Sequence, residues 1–306
     1  MYFLKSRVSD PAVRSSHAGL FCDLRLHSVF LTAQSFLKYN RNMIKHIEVN
    51  GEMTAKDLDK GKINERIAAF AAGILLLIVI LITSTQAVCY WIPDWWHNEY
   101  AKYNTPQYVT GEMSLDDAVY ITEQMLEYCI GRIDTLDDTE ATIDGVTAPF
   151  FTEREKQHLA DCRNIFLGAV RFRIIALLLI VGFLIAVWFS VRKRYEDGTD
   201  ESRSSPGLKA CYARILARGY VLALAAMVVF AVFLVILGMN DFTFLFTKFH
   251  HVFFDNDLWI LDPRVDNLVN VMQESVFADA AIWIGSIWAA VAVVLAAVSA
   301  YILHKR

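Results

Sequence analysis

Four long runs almost free of charge decide what this chain can fold into. Residues 67–91, 174–191, 215–239 and 280–303 are apolar over about the ~20 positions a helix needs to cross a ~30 Å hydrocarbon core. Arg218 is the one charged residue within them; it lies near one end of its run, where a long side chain can snorkel to the headgroups. Lipid offers no hydrogen bonds to the backbone, so spanning segments must be helices or a closed barrel, and unbroken runs of this length are helices. The chain is 55% hydrophobic over 306 residues with mean hydropathy +0.35, more apolar surface than an aqueous fold of this size can hide. The expected fold is therefore an all-α integral membrane protein with four transmembrane helices.

Charge sets the expected orientation. Arg192, Lys193, Arg194, Arg203, Lys209, Arg214 and Arg218 stand around the loop between the second and third runs, and Lys305 and Arg306 close the chain. Basic residues mark the cytosolic side. The segment 92–170 is acidic instead, with Asp116, Asp117, Asp134, Asp137, Asp138, Glu140 and Asp144, and reads as an outer helical loop domain. A second outer loop covers 240–279, and both termini lie inside. Tyr90, Trp91, Trp95 and Trp96 read as an aromatic belt at the outer end of the first span.

Residues 1–65 read as a cytosolic extension and 66–306 as the four-span catalytic domain. The start "MYFLKSRVSDPAVRSS" has no short apolar core of the kind a cleaved signal carries. Met43 opens a charged leader of its own, so residues 1–42 are expected to be an over-long translation start. "YEDGTDESRSSPG", residues 195–207, has the composition of a flexible linker. The net charge of −4 separates by side, leaving no basic, aromatic-interleaved surface for nucleic acid. Five cysteines without a CxxC pair signal neither a zinc knuckle nor a disulfide framework; Cys129 and Cys162 share the outer face and could bridge. The spans carry no ionisable midplane residue or broken helix, which argues against a carrier and moves the chemistry to the outer face.

Two outer stretches carry it. "SLDDAVYITEQMLEYCI" opens with a Ser114 to Asp117 cap and sets Leu115, Ala118, Val119, Met125, Leu126 and Cys129 at helical spacing, an amphipathic helix on the membrane or beneath the site. In "PFFTEREKQHLADCRNIF" Thr152 and Glu155 form a capping box that starts a helix running into the second span, with His158, Asp161 and Cys162 on one face and Arg163 beside them. "KFHHVFFDNDLWILDP" supplies His250, His251, Asn256, Asp257 and Asp262, threaded through Phe249, Phe253, Phe254 and Trp259. Rings that grip acyl chains beside imidazole and carboxylate suit an enzyme acting on a lipid ester. Two rivals remain: a metal-dependent membrane hydrolase using His158, His250 and carboxylates, although no H-E-x-x-H string occurs, and a scaffold or receptor without catalysis.

"FFTEREKQHLADCR" before the second span and "FHHVFFDNDLWILDP" before the fourth resemble the bacterial lipoprotein intramolecular transacylases over residues 66–306. The chain departs from that pattern in its N-terminal extension, its linker, His251 at a variable position, and Cys162 where an aliphatic residue is expected. The resemblance implies transfer of the sn-2 acyl chain of a diacylglyceryl lipoprotein to the α-amine of its own N-terminal cysteine, in the bacterial cytoplasmic membrane, without cofactor or metal. Membrane lipids and lipoproteins are then the partners. His158 and His250 become the proton-transfer pair, with Asp161 orienting the first and Asp257 or Asp262 the second. Glu155, Arg163, Asn256 and Trp259 support them, Phe249, Phe253 and Phe254 meet the acyl chain or headgroup, and Cys162 is packing rather than nucleophile.

Reporter fusions at Gly145 and Gly198 are expected to give opposite readings, Gly145 outside and Gly198 inside; matching readings would overturn the charge-based topology.

Overall fold

The structure is a computed structural model that describes residues 60–196, 207–240 and 242–305. Residues 1–59 of the expected extension, Met43 among them, therefore lie outside the described residues, as does most of the expected linker; residues 60–65 form the start of the first helix. All four predicted spans are helices: α1, Lys60–Gln86, prolonged by a π-helical turn at Ala87–Trp91; α4, Glu153–Glu196; α5, Leu208–Asn240; and α8, Glu274–His304. Between α1 and α4 lie α2, Trp95–Tyr103, α3, Leu115–Cys129, and a hairpin of β1, Glu140–Ile143, and β2, Val146–Pro149. α6, Phe242–Phe253, and the single turn α7, Leu268–Val271, lie between α5 and α8.

Local chemistry sets the boundaries. Ile92 precedes Pro93, which disfavours a helical residue before it, and Ile92 turns extended at ψ 115°. Ser114 caps α3 by accepting from the Asp117 N–H at 2.9 Å. At Thr152 the capping box closes in both directions: the Glu155 N–H donates to Thr152 Oγ1 at 3.3 Å, and the Thr152 N–H donates to Glu155 Oε2 at 2.6 Å. α4 then runs 44 residues, roughly 66 Å at 1.5 Å per residue, about twice the hydrocarbon thickness. Only its apolar second half is of a composition to span; the first three turns, with His158 and Cys162, belong to the loop domain.

The membrane part is held by close approach and by a few directed bonds. A Cβ on Gly219 of α5 would lie 2.6 Å from the Ala69 carbonyl carbon of α1, and one on Gly73 would lie 2.8 Å from Ala223 Cβ. Small residues let these backbones touch, as membrane helices require when lipid competes for every apolar face. Tyr220 OH donates to the Ala292 carbonyl at 2.8 Å and Trp288 Nε1 to the Leu77 carbonyl at 3.0 Å, joining α5 to α8 and α8 to α1. At the end of the bundle away from the loop domain, buried Glu65 accepts from Arg194 Nε at 2.9 Å and from Ser190 at 2.7 Å.

The loop domain has a core of its own, made by Val88, Trp95, Trp96, Tyr100, Ile121, Met125, Leu126, Phe150, Phe151, Leu159, Leu268, Val271 and Val276. α3 packs its apolar face inward here, so it lies in the domain rather than on the membrane. The expected aromatic belt is corrected: Trp95 and Trp96 are buried, Tyr90 OH donates to the Leu126 carbonyl at 3.1 Å, and only Trp91, 59% exposed, faces outward. Proximity in sequence to a span suggested an interface, but the turn at Pro93 folds these rings under α3. The hairpin is a second departure, small against the helical whole. Asp144 and Gly145, at φ 53° and 76°, form the two-residue turn with positive φ that an Asp-Gly pair favours. Cys129 and Cys162 both carry free thiols, so the Cys129–Cys162 bridge does not form.

Because the Gly219 contact is with backbone, Gly219→Ala is expected to destabilise by about 1–3 kcal/mol. Gly182→Ala, where a Cβ meets nothing within 4 Å, should not. Thermal inactivation of the purified protein in detergent checks the pair; equal midpoints would remove the close-packing account.

Candidate active site

α4 delivers His158 and α6 delivers His250, and their ring centroids lie 6.0 Å apart at 33°. Both side chains are buried, and Phe254 packs between them at 5.0 Å from His158 and 5.5 Å from His250. The pairing is tertiary: the histidines are about ninety residues apart in sequence and meet because the 254–271 loop folds back onto the first turn of α4.

That fold-back is a network of charge-assisted bonds. Glu155, with no exposed surface, uses one carboxylate oxygen for its own cap and the other to accept the Leu268 N–H. Thr152 Oγ1 donates to Asp266 Oδ1 at 3.1 Å, and Asp266 Oδ2 accepts the Asp262 N–H at 2.8 Å. Asn256 Nδ2 donates to Asp161 Oδ2 at 2.9 Å, while its Oδ1 accepts the Leu258 N–H at 3.0 Å. Arg154 donates to the Asp257 carbonyl. Asp266 was not singled out from sequence; nothing in its spacing reveals that its partner is Thr152, 114 positions away.

Several expected partners sit elsewhere. Asp161 bonds Asn256 rather than His158. Asp262 is clasped by Arg264, which holds its carboxyl down to about 2, and the exposed Asp257 contributes its backbone carbonyl. No hydrogen bond joins any of the three to a histidine. His250 is oriented instead by its own helix: Nδ1 lies 2.8 Å from the Phe246 carbonyl. A carbonyl can only accept, so Nδ1 carries the proton and Nε2 carries the lone pair. Arg163 stacks over Tyr128 at 4.6 Å and donates to the Ile133 carbonyl at 3.0 Å, bracing the loop after α3. Of the three phenylalanines, Phe254 enters the site, whereas Phe249 and Phe253 are half exposed on the outer face of α6. His251 is exposed and meets the Trp259 ring edge-on at 5.2 Å, while the near face of that indole stacks on His250 at 4.8 Å and 31°.

Burial, reinforced by the neighbouring His250 and opposed by Asp161, lowers His158 to about 4. His250 is lowered too, by burial first, with the Phe246 carbonyl opposing and His251 adding. Both imidazoles are thus neutral at pH 7, the form that accepts a proton. Cys162 Sγ lies 3.6 Å from His158 Nε2, but burial and Asp161 push its thiol up to about 12. A thiol so protonated lacks the thiolate that a nucleophile needs. Among the described residues no three His, Cys, Asp or Glu side chains gather as a metal site.

Fold and site together define a class: a polytopic, all-α membrane protein holding two neutral imidazoles in a loop domain at one end of its bundle. The family model described as lipoprotein intramolecular transacylase Lit matches residues 70–277, more than half of the chain. The chain belongs to that family and is a membrane acyltransferase. Its fold is also that of the membrane integral lipoprotein intramolecular transacylase Lit from Bacillus cereus, at TM-score 0.56 and 18% identity over 78% of this chain and 95% of that one. Two variants of that protein, each with a histidine replaced, match at TM-score 0.57 and 18% identity over 78% of this chain and 92% and 93% of theirs. No curated protein sequence matches the chain.

Since the unfolded chain binds a proton to His158 near pH 6.5 and the folded one only near 4, stability is expected to fall as pH drops from about 6.5 and to level off below about 4. Glu155, pushed up by burial, contributes the opposite slope. Comparison with His158→Asn isolates the histidine: the variant should lose less stability over this range. Parallel midpoint-versus-pH curves for the two proteins would contradict a buried neutral His158.

Proposed function

We propose that the chain moves the sn-2 acyl group of a diacylglyceryl lipoprotein onto the α-amine of that lipoprotein's N-terminal cysteine, with His158 and His250 as the proton-transfer pair. The observation that carries this reading is the meeting of two neutral, buried imidazoles from separate outer segments at 6.0 Å. His250, with Nε2 free, takes the proton from the attacking amine, and the pair returns that same proton to the departing glycerol oxygen, which leaves from the His158 side. The amine loses one proton, the glycerol hydroxyl gains one, an amide forms and an ester breaks.

No acyl-enzyme is needed. Amine and ester belong to one molecule, so holding them in contact supplies the effective concentration that a bimolecular reaction lacks. The α-amine has an ordinary pKa of about 7.7 to 8.0, so a base near it must be available in neutral form at pH 7. The half-exposed Phe249 and Phe253, beside a span, suit acyl chains arriving sideways from the bilayer. The basic residues around the loop between α4 and α5 support a reading in which this site faces outward from the bacterial cytoplasmic membrane and both termini lie inside.

Replacing His158 or His250 by Ala is expected to lower turnover by ~10² to 10⁴, about 3 to 5 kcal/mol of barrier. The double variant should be little worse than the poorer single one, as for groups that act as a unit. His251→Ala and Cys162→Val should keep most activity. The assay is mass spectrometry of lipoprotein N-termini in a host that otherwise makes diacylated forms; near-native lyso-lipoprotein yield from either single histidine variant would falsify the pair.

A further inference from the structure

Acyl transfer passes through a tetrahedral species whose oxygen carries negative charge, and such sites need a donor aimed at that oxygen. The histidines do not provide it: the His250 Nδ1–H is spent on the Phe246 carbonyl, and the remaining imidazole nitrogens move protons. Other side-chain donors around the pair are also committed. Asn256 donates to Asp161, Arg154 to the Asp257 carbonyl, and Arg163 to the Ile133 carbonyl.

One donor remains. Among the described residues four buried side-chain polar atoms lack a hydrogen-bond partner: Trp95 Nε1, Thr105 Oγ1, His158 Nδ1 and Trp259 Nε1. The last two flank His250, one from the imidazole 6.0 Å away and the other from the indole stacked at 4.8 Å. Folded proteins rarely leave a buried N–H bare, and a bare donor beside reactive groups is one that an acceptor arriving with the substrate can use. Indole nitrogen can only donate, never accept or titrate, so it can hold an oxygen that gains charge without giving that oxygen its proton. Burial keeps water from competing for it, which strengthens a bond formed there.

We propose that Trp259 is a catalytic residue whose indole N–H donates to the carbonyl oxygen of the sn-2 ester and holds the oxyanion as the amine attacks. The carbon–oxygen double bond opens onto that oxygen, and the pair returns as the glycerol oxygen leaves with its proton; Trp259 gives up nothing. The ring contact with His250, 4.8 Å between centroids at 31°, fixes the indole relative to the base. This assignment rests on the histidine pair acting on the lipoprotein ester.

The test separates the two. Trp259→Phe keeps a ring against His250 but removes the donor; benzothienylalanine at 259, with sulfur in place of N–H, keeps the whole shape. Both are expected to lower kcat roughly 10²-fold, with KM little changed and the acid limb of the pH–rate profile unmoved. A ring that merely positioned His250 would shift that limb instead, and would be fully replaced by benzothienylalanine. In a His158→Ala background, the carbonyl stretch of a ¹³C-labelled diacylglyceryl lipopeptide should lie lower with Trp at 259 than with benzothienylalanine. Native kcat in the benzothienylalanine protein, a shifted pH profile, or an unchanged stretch overturns the assignment. If His158→Ala and His250→Ala are inactive while the benzothienylalanine protein is unimpaired, only the indole role falls; if the histidine variants turn over normally, the proton-transfer reading falls first.

Discussion

A carboxylate with no exposed surface, Glu155, holds the arrangement together. It closes the cap of a 44-residue helix and at the same time accepts the Leu268 N–H from a loop 113 residues on. Burying a carboxylate is costly, and burial does push this one up, so the site is retained only because donors surround it. Each backbone N–H it satisfies would otherwise stand bare in the loop-domain core, at about 1–3 kcal/mol apiece. The turn that Glu155 fixes is the one that presents His158, and the loop it captures follows directly on His250, Phe254 and Trp259.

Around that anchor, carboxylates serve structure while imidazoles are left dry. Asp161, Asp262 and Asp266 all spend their oxygens on loop geometry, on Asn256, Arg264 and Thr152. None meets a histidine. A carboxylate on either imidazole would raise it and keep it charged, whereas burial lowers both, against Phe254 for His158 and against Phe246, Phe254 and Trp259 for His250. Orientation comes from a helix carbonyl, a partner that fixes the tautomer of His250 without adding a net charge.

The bundle serves as a platform of a different kind. Its helices approach through Gly73 and Gly219 and share only a few hydrogen bonds, while most of their large side chains face lipid. Directed chemistry concentrates where α4 rises out of the bilayer, because only there can a helix with a continuous backbone ladder carry polar side chains into a packed, water-poor core.

The sequence by itself determined the four spans, the Ser114 and Thr152 caps and the two histidine-bearing stretches, since hydrocarbon thickness and helix-end hydrogen bonding act within a few turns of chain. A resemblance of two short motifs was enough for the family. Local rules could not say that Trp95 and Trp96 turn inward beneath α3, that Asp144 and Gly145 make a hairpin within an acidic loop, or that Arg163 braces that loop. They also could not pair the carboxylates: Asp161 and Asp262 stand near histidines in sequence, yet they bond Asn256 and Arg264. Tertiary structure alone decided these, because a side chain's partner depends on which distant backbone groups burial leaves unsatisfied, and that is settled only when α4 and the 254–271 loop close on each other. The same closure brings His158 and His250 to 6.0 Å and sets the Trp259 indole against them.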